Sequence, residues 1–166
     1  MQGGGMKKLR NKKYRPRPVA IAGGLTVVAR CHARGQDAAP LNDGQLQDLG
    51  LAYWLNLEQL ATGAATEEAW SVVVTALNIG LALCETGIGA EHEPTFNLAL
   101  DGAFRARTRS ARTKSFRLDG EALTDIKAAL AIHDGQMDIA SRAEVIVAMS
   151  LVRRRIDEGH VYKDAA

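Results

Sequence analysis

The sequence predicts an all-α fold, a helical bundle of about four helices, and three observations carry that prediction. Alanine is abundant and β-branched runs are short in a chain of 166 residues that is 46% hydrophobic and 24% charged. That composition favours helix and a packed core over strand or disorder. Apolar residues recur at spacings of three and four from about residue 43 onward, the period of one helix face. Capping residues and glycines stand at the ends of those periodic stretches.

Asn42 and Asp43 are N-cap types, and Leu46, Leu49, Tyr53, Leu57 and Leu60 follow on one face before Gly63. A helix over about 43–62 is expected. Thr66 can cap the next, with Glu67 and Glu68 in the first turn where the helix dipole favours acids. Trp70, Val73, Val74, Leu77, Leu81 and Cys84 form its stripe, and Gly87 and Gly89 end it. Its other face is also apolar, so it should be the most buried helix. Pro94, behind Glu93, marks a helix start. Phe96, Leu100, Ala103 and Phe104 give that helix its inward face, and it runs into a basic block and should fray by Thr113. Residues 116–120 suggest a turn. Leu123, Ile126, Leu130, His133, Met137, Ala140, Val147 and Leu151 then follow a near-heptad path. One long C-terminal helix over about 120–157 accounts for them. Two helices joined at Asp134-Gly135 are the alternative, although a lone helical glycine costs only about 1 kcal/mol relative to alanine.

Residues 1–18 are expected to be a flexible basic arm, and residues 19–166 a single helical domain. Lys7, Lys8, Arg10, Lys12, Lys13, Arg15 and Arg17 lie between Gly3–Gly5 and the closing Pro16 and Pro18. Like charges repel and proline disfavours helix, so the arm should be extended when free. Met6 offers an alternative start. Residues 19–34 suit either a short strand or a buried helical turn, and 35–40 a linker.

The longest apolar stretch, Val19–Ala29, is 11 residues long, against roughly 20 for a membrane span. It lies behind a basic segment, as a signal-peptide core would, but Pro16, Pro18 and Arg30 argue against that role. No acidic residue precedes Asp37, yet the segment lacks the amphipathic helix of a transit peptide. Cys31 and Cys84 form no C-x-x-C pair, which suits a reducing compartment. The expectation is a soluble, cytoplasmic protein with no membrane partner.

Charge is segregated along the chain. Residues 1–34 carry nine Lys/Arg and no Asp/Glu, and residues 35–102 carry ten Asp/Glu and no Lys/Arg. Residues 103–117 carry six Lys/Arg and no acid, and residues 118–166 carry six basic and nine acidic residues. Such asymmetry points to binding surfaces rather than to a fold.

Signatures of catalysis are missing. There is no phosphate loop, dinucleotide fingerprint or G-x-S-x-G elbow. Cys31-His32 lacks further ligands at metal-site spacing, and Glu91-His92-Glu93 has no second histidine to complete H-E-x-x-H, so helix-start acids explain it better. Asp134 and Asp138, four apart, could share a cation, but a solvated helix face is the simpler account. His133 on the apolar path suggests a semi-buried, hydrogen-bonded residue. Asp134-Gly135 makes a poor helix-turn-helix, because Asp134 and Gln136 flank the glycine where that motif wants apolar residues. No cofactor, no metal and no catalysis are expected.

Two basic features remain as candidate nucleic-acid contacts. The arm residues Lys7, Lys8, Arg10, Lys12, Lys13, Arg15 and Arg17 would neutralise phosphates, with Tyr14 as a stacking ring. Arg105, Arg109 and Arg112 fall at i, i+4 and i+7 on one helix face, within a cluster that includes Arg107, Lys114 and Arg117 and is flanked by Phe104 and Phe116. The cluster could equally pair with acids inside the fold or on a partner subunit. Arg153–Arg155 suit a helix C-terminus.

The run Arg10-Asn11-Lys12-Lys13-Tyr14-Arg15-Pro16-Arg17-Pro18-Val19 resembles the start of small proteins of unknown function encoded in proteobacterial phages and prophages. The stretch from Ala128 through Gln136, continuing through Ser141–Glu144 to Arg153–Arg155, is similar to their C-terminal helix. The resemblance covers the two ends of the chain. It implies a mobile-element context in the bacterial cytoplasm and brings no active site with it. The function expected is a non-enzymatic nucleic-acid-binding or regulatory accessory protein. A protein-binding inhibitor of a host factor using the acidic 35–102 region is the alternative, as is self-assembly with arm on acidic surface. The oligomeric state is open, and a homo-oligomer fits.

Overall fold

The computed structural model describes residues 43–160, and these form five α-helices with no strand among the described residues. In chain order they are α1 (Asp43–Thr62), α2 (Glu67–Glu85), α3 (Glu93–Thr113), α4 (Gly120–Ile139) and α5 (Arg142–Asp157), with a 3₁₀ turn at Ala90–His92. The all-α expectation holds. The basic arm, the 19–34 segment, the 35–40 linker, Cys31-His32 and the Asn42 cap lie outside the described residues.

Local chemistry sets the helix ends. Gly63 at φ +85° turns the chain out of α1, and its N–H donates to Gln59 O at 3.0 Å. Thr66 caps α2 by accepting from the Ala69 N–H at 3.3 Å. At its other end Gly87 adopts φ +105°. Gly87 N–H reaches Cys84 O, and Ile88 N–H reaches Leu83 O at 2.9 Å. These paired bonds make a Schellman cap, whose left-handed residue is usually glycine. Pro94 lies in the first turn of α3, as expected, and α3 ends at Thr113.

Helix α2 is the centre of the bundle and packs against each of the other four helices. It has the length and apolarity of a membrane span, but 83% of that stretch is buried among its neighbours. Trp70, Val73, Val74, Leu77, Leu83, Phe96, Leu100, Phe104, Ile126 and Leu130 are almost fully enclosed. Polar groups inside α2 are satisfied along the helix. Thr75 Oγ donates to Ser71 O and Asn78 Nδ2 to Val74 O, both at 2.8 Å, which removes the cost of burying them unpaired. Two glycines allow close helix crossings. A Cβ on Gly80 would lie 2.3 Å from the Phe96 ring, and one on Gly102 would lie 2.8 Å from the Ala122 Cβ.

The single helix expected over 120–157 is two helices, and the break is not at Asp134-Gly135. Gly135 sits inside α4, and the chain turns at Ala140-Ser141, where Ala140 is extended at ψ 134°. A capping box marks the new helix start. Ser141 accepts from the Glu144 N–H at 3.3 Å, and Glu144 accepts from the Ser141 N–H at 2.8 Å. Each side chain thereby satisfies a backbone donor that a helix start leaves open. The break also resets the helical phase. Val145, Ala148 and Val152 face inward, while Val147 is exposed rather than in the core. The described residues therefore form five helices, where about four were expected.

Candidate functional site

Arg105, Arg109 and Arg112 occupy one face near the C-terminal end of α3, and with Thr108 they line an open depression of about 610 Å³. This grouping agrees with the i, i+4, i+7 spacing in the sequence. The seven arm residues, Lys7 to Arg17, lie outside the described residues.

Acids from the loop after α3 and from the start of α4 meet two of the three arginines. Asp119 is the N-cap of α4 and accepts from the Ala122 N–H at 2.8 Å. Its carboxylate lies 3.8 Å from Arg105 and 3.6 Å from Arg109. Glu121 reaches Arg105 at 3.2 Å. The Ala122 backbone bond, and after it the two guanidinium groups, hold the Asp119 carboxyl below its ordinary range. Arg109 also donates to Arg117 O. Arg112 is exposed and has no ion pair among the described residues.

The rest of the basic cluster has other roles. Arg107 points away from the depression and is bound to Glu67 at 2.8 Å. Its guanidinium lies 5.8 Å from the Trp70 ring centroid and 5.4 Å from that of Phe116, a cation–π geometry. Lys114 Nζ donates to Ala111 O at 3.1 Å, and Lys114 itself adopts a left-handed φ of 58° that ends α3. Phe104 is buried edge-on against Trp70 at 5.2 Å, so it belongs to the core and presents no face to a base. Arg155 pairs with Glu85 across α5 and α2.

A second polar cluster lies between α1, α2 and α4. The Tyr53 hydroxyl donates to Asp134 Oδ1, and Trp54 Nε1 donates to Asp134 Oδ2 at 2.9 Å. Asp134 thus serves as a buttress between α1 and α4 rather than half of an Asp134–Asp138 cation site. Among the described residues no group of three or more His, Cys, Asp or Glu could hold a metal. His133 is fully enclosed, its ring 5.6 Å from that of Tyr53 and its Nδ1 3.4 Å from Gln136 Oε1. Burial pushes its pKa down to about 4. Gln136 Nε2 faces Ile88 O at 2.8 Å, Gly80 O at 3.1 Å and Cys84 Sγ at 3.2 Å. Burial raises the Cys84 thiol to about 11, which leaves it protonated and poorly nucleophilic. Burial also raises the Tyr53 hydroxyl, and the Asp134 charge raises it further. This cluster joins helices and has no activated group.

Sequence reasoning missed Thr108, Asp119, Glu121 and the joining role of Gln136. Asp119 alone left a readable mark, an N-cap type three residues before Ala122 at the start of an apolar path. Comparison of the chain with family models, with curated proteins and with solved structures finds no match.

Proposed function

We propose that this chain binds nucleic acid through phosphate contacts, as a non-enzymatic accessory protein of a phage-like mobile element in the bacterial cytoplasm. The observation that carries the reading is the grouping of Arg105, Arg109 and Arg112 with Thr108 around one open depression. Arg105 and Arg112 are about 10 Å apart along the helix axis at ~1.5 Å per residue. A span of that length can meet more than one phosphate of a strand, whose charges rise by ~3.4 Å each along the duplex axis and lie farther apart along the backbone. Arginine suits this role because its planar fork binds phosphate oxygens in pairs. The arm residues Lys7, Lys8, Arg10, Lys12, Lys13, Arg15 and Arg17 would add further sequence-independent contacts.

Fluorescence anisotropy with labelled DNA and RNA across a salt series tests this. The logarithm of affinity should fall with log salt at about −0.9 per duplex phosphate neutralised. Arg112→Gln should flatten that slope by about 0.9, and loss of residues 1–17 by several units. Absence of binding at low salt by the full chain overturns the reading.

One observation favours a second reading, docking of a protein. Along the outer face of α1, Leu51 and Leu55 are 51% and 59% exposed, and Asp48 and Glu58 stand on either side of them. An acidic face with two bare leucines suits a basic, partly apolar partner, whether a host factor or a second copy. Light scattering separates the self-assembly form. An assembly held by exposed charges should fall towards monomer as salt rises, and a monomer at low salt removes it.

A further inference from the structure

We infer that Asp119 and Glu121 act as a built-in competitor for the phosphate site, so that a nucleic-acid strand must displace Glu121 from Arg105 in order to bind. This inference rests on the nucleic-acid reading and adds its regulation. The two carboxylates occupy the positions that phosphate oxygens would take. Glu121 is 3.2 Å from Arg105, and Asp119 bridges Arg105 and Arg109 at 3.8 and 3.6 Å.

The two acids differ in how firmly they are held. Asp119 is fixed by its capping bond to the Ala122 N–H at 2.8 Å. Glu121 has 78% of its side chain exposed, and Arg105 is the one partner it meets among the described residues. Exposed ion pairs are weak and screened by salt. One backbone phosphate carries the same single charge as a carboxylate, but a strand offers several, and by meeting Arg109 and Arg112 together with Arg105 it outcompetes one exposed carboxylate. Glu121 swings out to solvent, while Asp119 stays beside Arg105 and Arg109 and keeps part of their charge engaged. Arg112, with no acid against it among the described residues, makes the first contact. The site is thereby biased against weak single anions and towards ligands with several phosphates in a row.

The test uses the full chain and a fluorescein-labelled DNA duplex of about 20 base pairs, at low and at high salt. Glu121→Gln removes the competing charge. Asp119→Asn removes the other while keeping an equally good N-cap, and thermal melting without DNA checks that both variants remain folded. Glu91→Gln is the control of equal charge change, since Glu91 precedes α3 and lies about 20 Å from Arg105 along the helix at ~1.5 Å per residue. The expected result is a two- to fivefold gain in affinity, roughly, for Glu121→Gln at low salt. The gain should disappear at high salt, and Glu91→Gln should show none. If the wild-type chain binds and Glu121→Gln and Asp119→Asn bind no more tightly than Glu91→Gln, the competitor is refuted while the nucleic-acid reading stands. If no version binds at low salt, both fall together.

Discussion

Replacing Gly80 by alanine tests the central packing of the bundle, because two effects of known size oppose each other there. Gly80 lies in the middle of α2, and alanine in a helix interior is favoured over glycine by about 0.8–1 kcal/mol. Against this, the new methyl would lie 2.3 Å from Phe96 Cε1 and 2.5 Å from Phe96 Cζ. The ring would have to retreat by roughly 1 Å to restore van der Waals contact. Phe96 is fully buried in the core, and so close an approach puts the overpacking cost near the top of the usual range of about 1–3 kcal/mol. Sterics win, and Gly80→Ala should destabilise by about 1–2 kcal/mol. Gly135→Ala is the matched control. Gly135 is also helical, but a Cβ there meets nothing within 4 Å, so the propensity gain stands alone and stabilises by up to about 1 kcal/mol. The same chemical change thus has opposite signs at two helical sites. Urea unfolding followed by circular dichroism reads the difference as a separation of midpoints at constant slope. Adding Phe96→Leu should lessen the Gly80→Ala penalty, giving a coupling of about 1 kcal/mol. If Gly80→Ala stabilises as much as Gly135→Ala, the close α2–α3 crossing is wrong.

Further outcomes follow from individual contacts. His133 has its pKa lowered by burial from 6.5 to about 4, so the folded state favours the neutral ring. Its contribution to stability is complete above the unfolded value of about 6.5 and is lost as pH falls towards 4, at up to about 1.4 kcal/mol per unit. Urea midpoints compared at pH about 7 and about 5 should show this loss, and His133→Gln should remove it. The low-lying carboxyls of Asp119 and Glu144 protonate further down and leave that window to His133. Gln136→Ala strips the Ile88 carbonyl and the His133 ring of their buried partner. It should cost about 2–4 kcal/mol by chemical denaturation, and a loss below about 0.5 kcal/mol contradicts the role given to Gln136. Ser141→Ala removes the α5 cap and should lower stability by about 1 kcal/mol. The break should persist in that variant, with Ala140 still outside both helices by NMR chemical shifts.

Much of the fold is legible in the sequence because its signals are local. Thr66 caps the helix it precedes, Pro94 lies in a first turn, and Gly63 and Gly87 end helices through conformations that depend on their own residue type. The last 45 residues show where local reasoning goes astray. Asp134-Gly135 draws attention as a turn, yet an exposed glycine with helical neighbours costs little. The stronger punctuation is Ser141-Arg142-Ala143-Glu144, a capping-box pattern hidden inside an unbroken apolar path. The candidate site is only half legible. Helical period alone brings Arg105, Arg109 and Arg112 together, but their acidic partners lie beyond the linear basic block, at Asp119 and Glu121. Pairing across a loop is a fact of three dimensions, as is the meeting of Tyr53 with Asp134 across 81 positions.

The central place of α2 has a consequence for how the molecule opens. Helices α3 and α4 pack on each other as well as on α2, whereas α5 packs chiefly on α2 among the described residues. A helix held mainly through one neighbour can detach as a unit while the rest stays assembled. Amide hydrogen exchange should therefore form a hierarchy. The amides of α5 open first and at the lowest free energy, and those of α2 exchange only through global unfolding. Release of α5 would uncover the face of α2 on which Val145, Ala148 and Val152 rest, so for a moment the most hydrophobic helix becomes the most available surface of the chain.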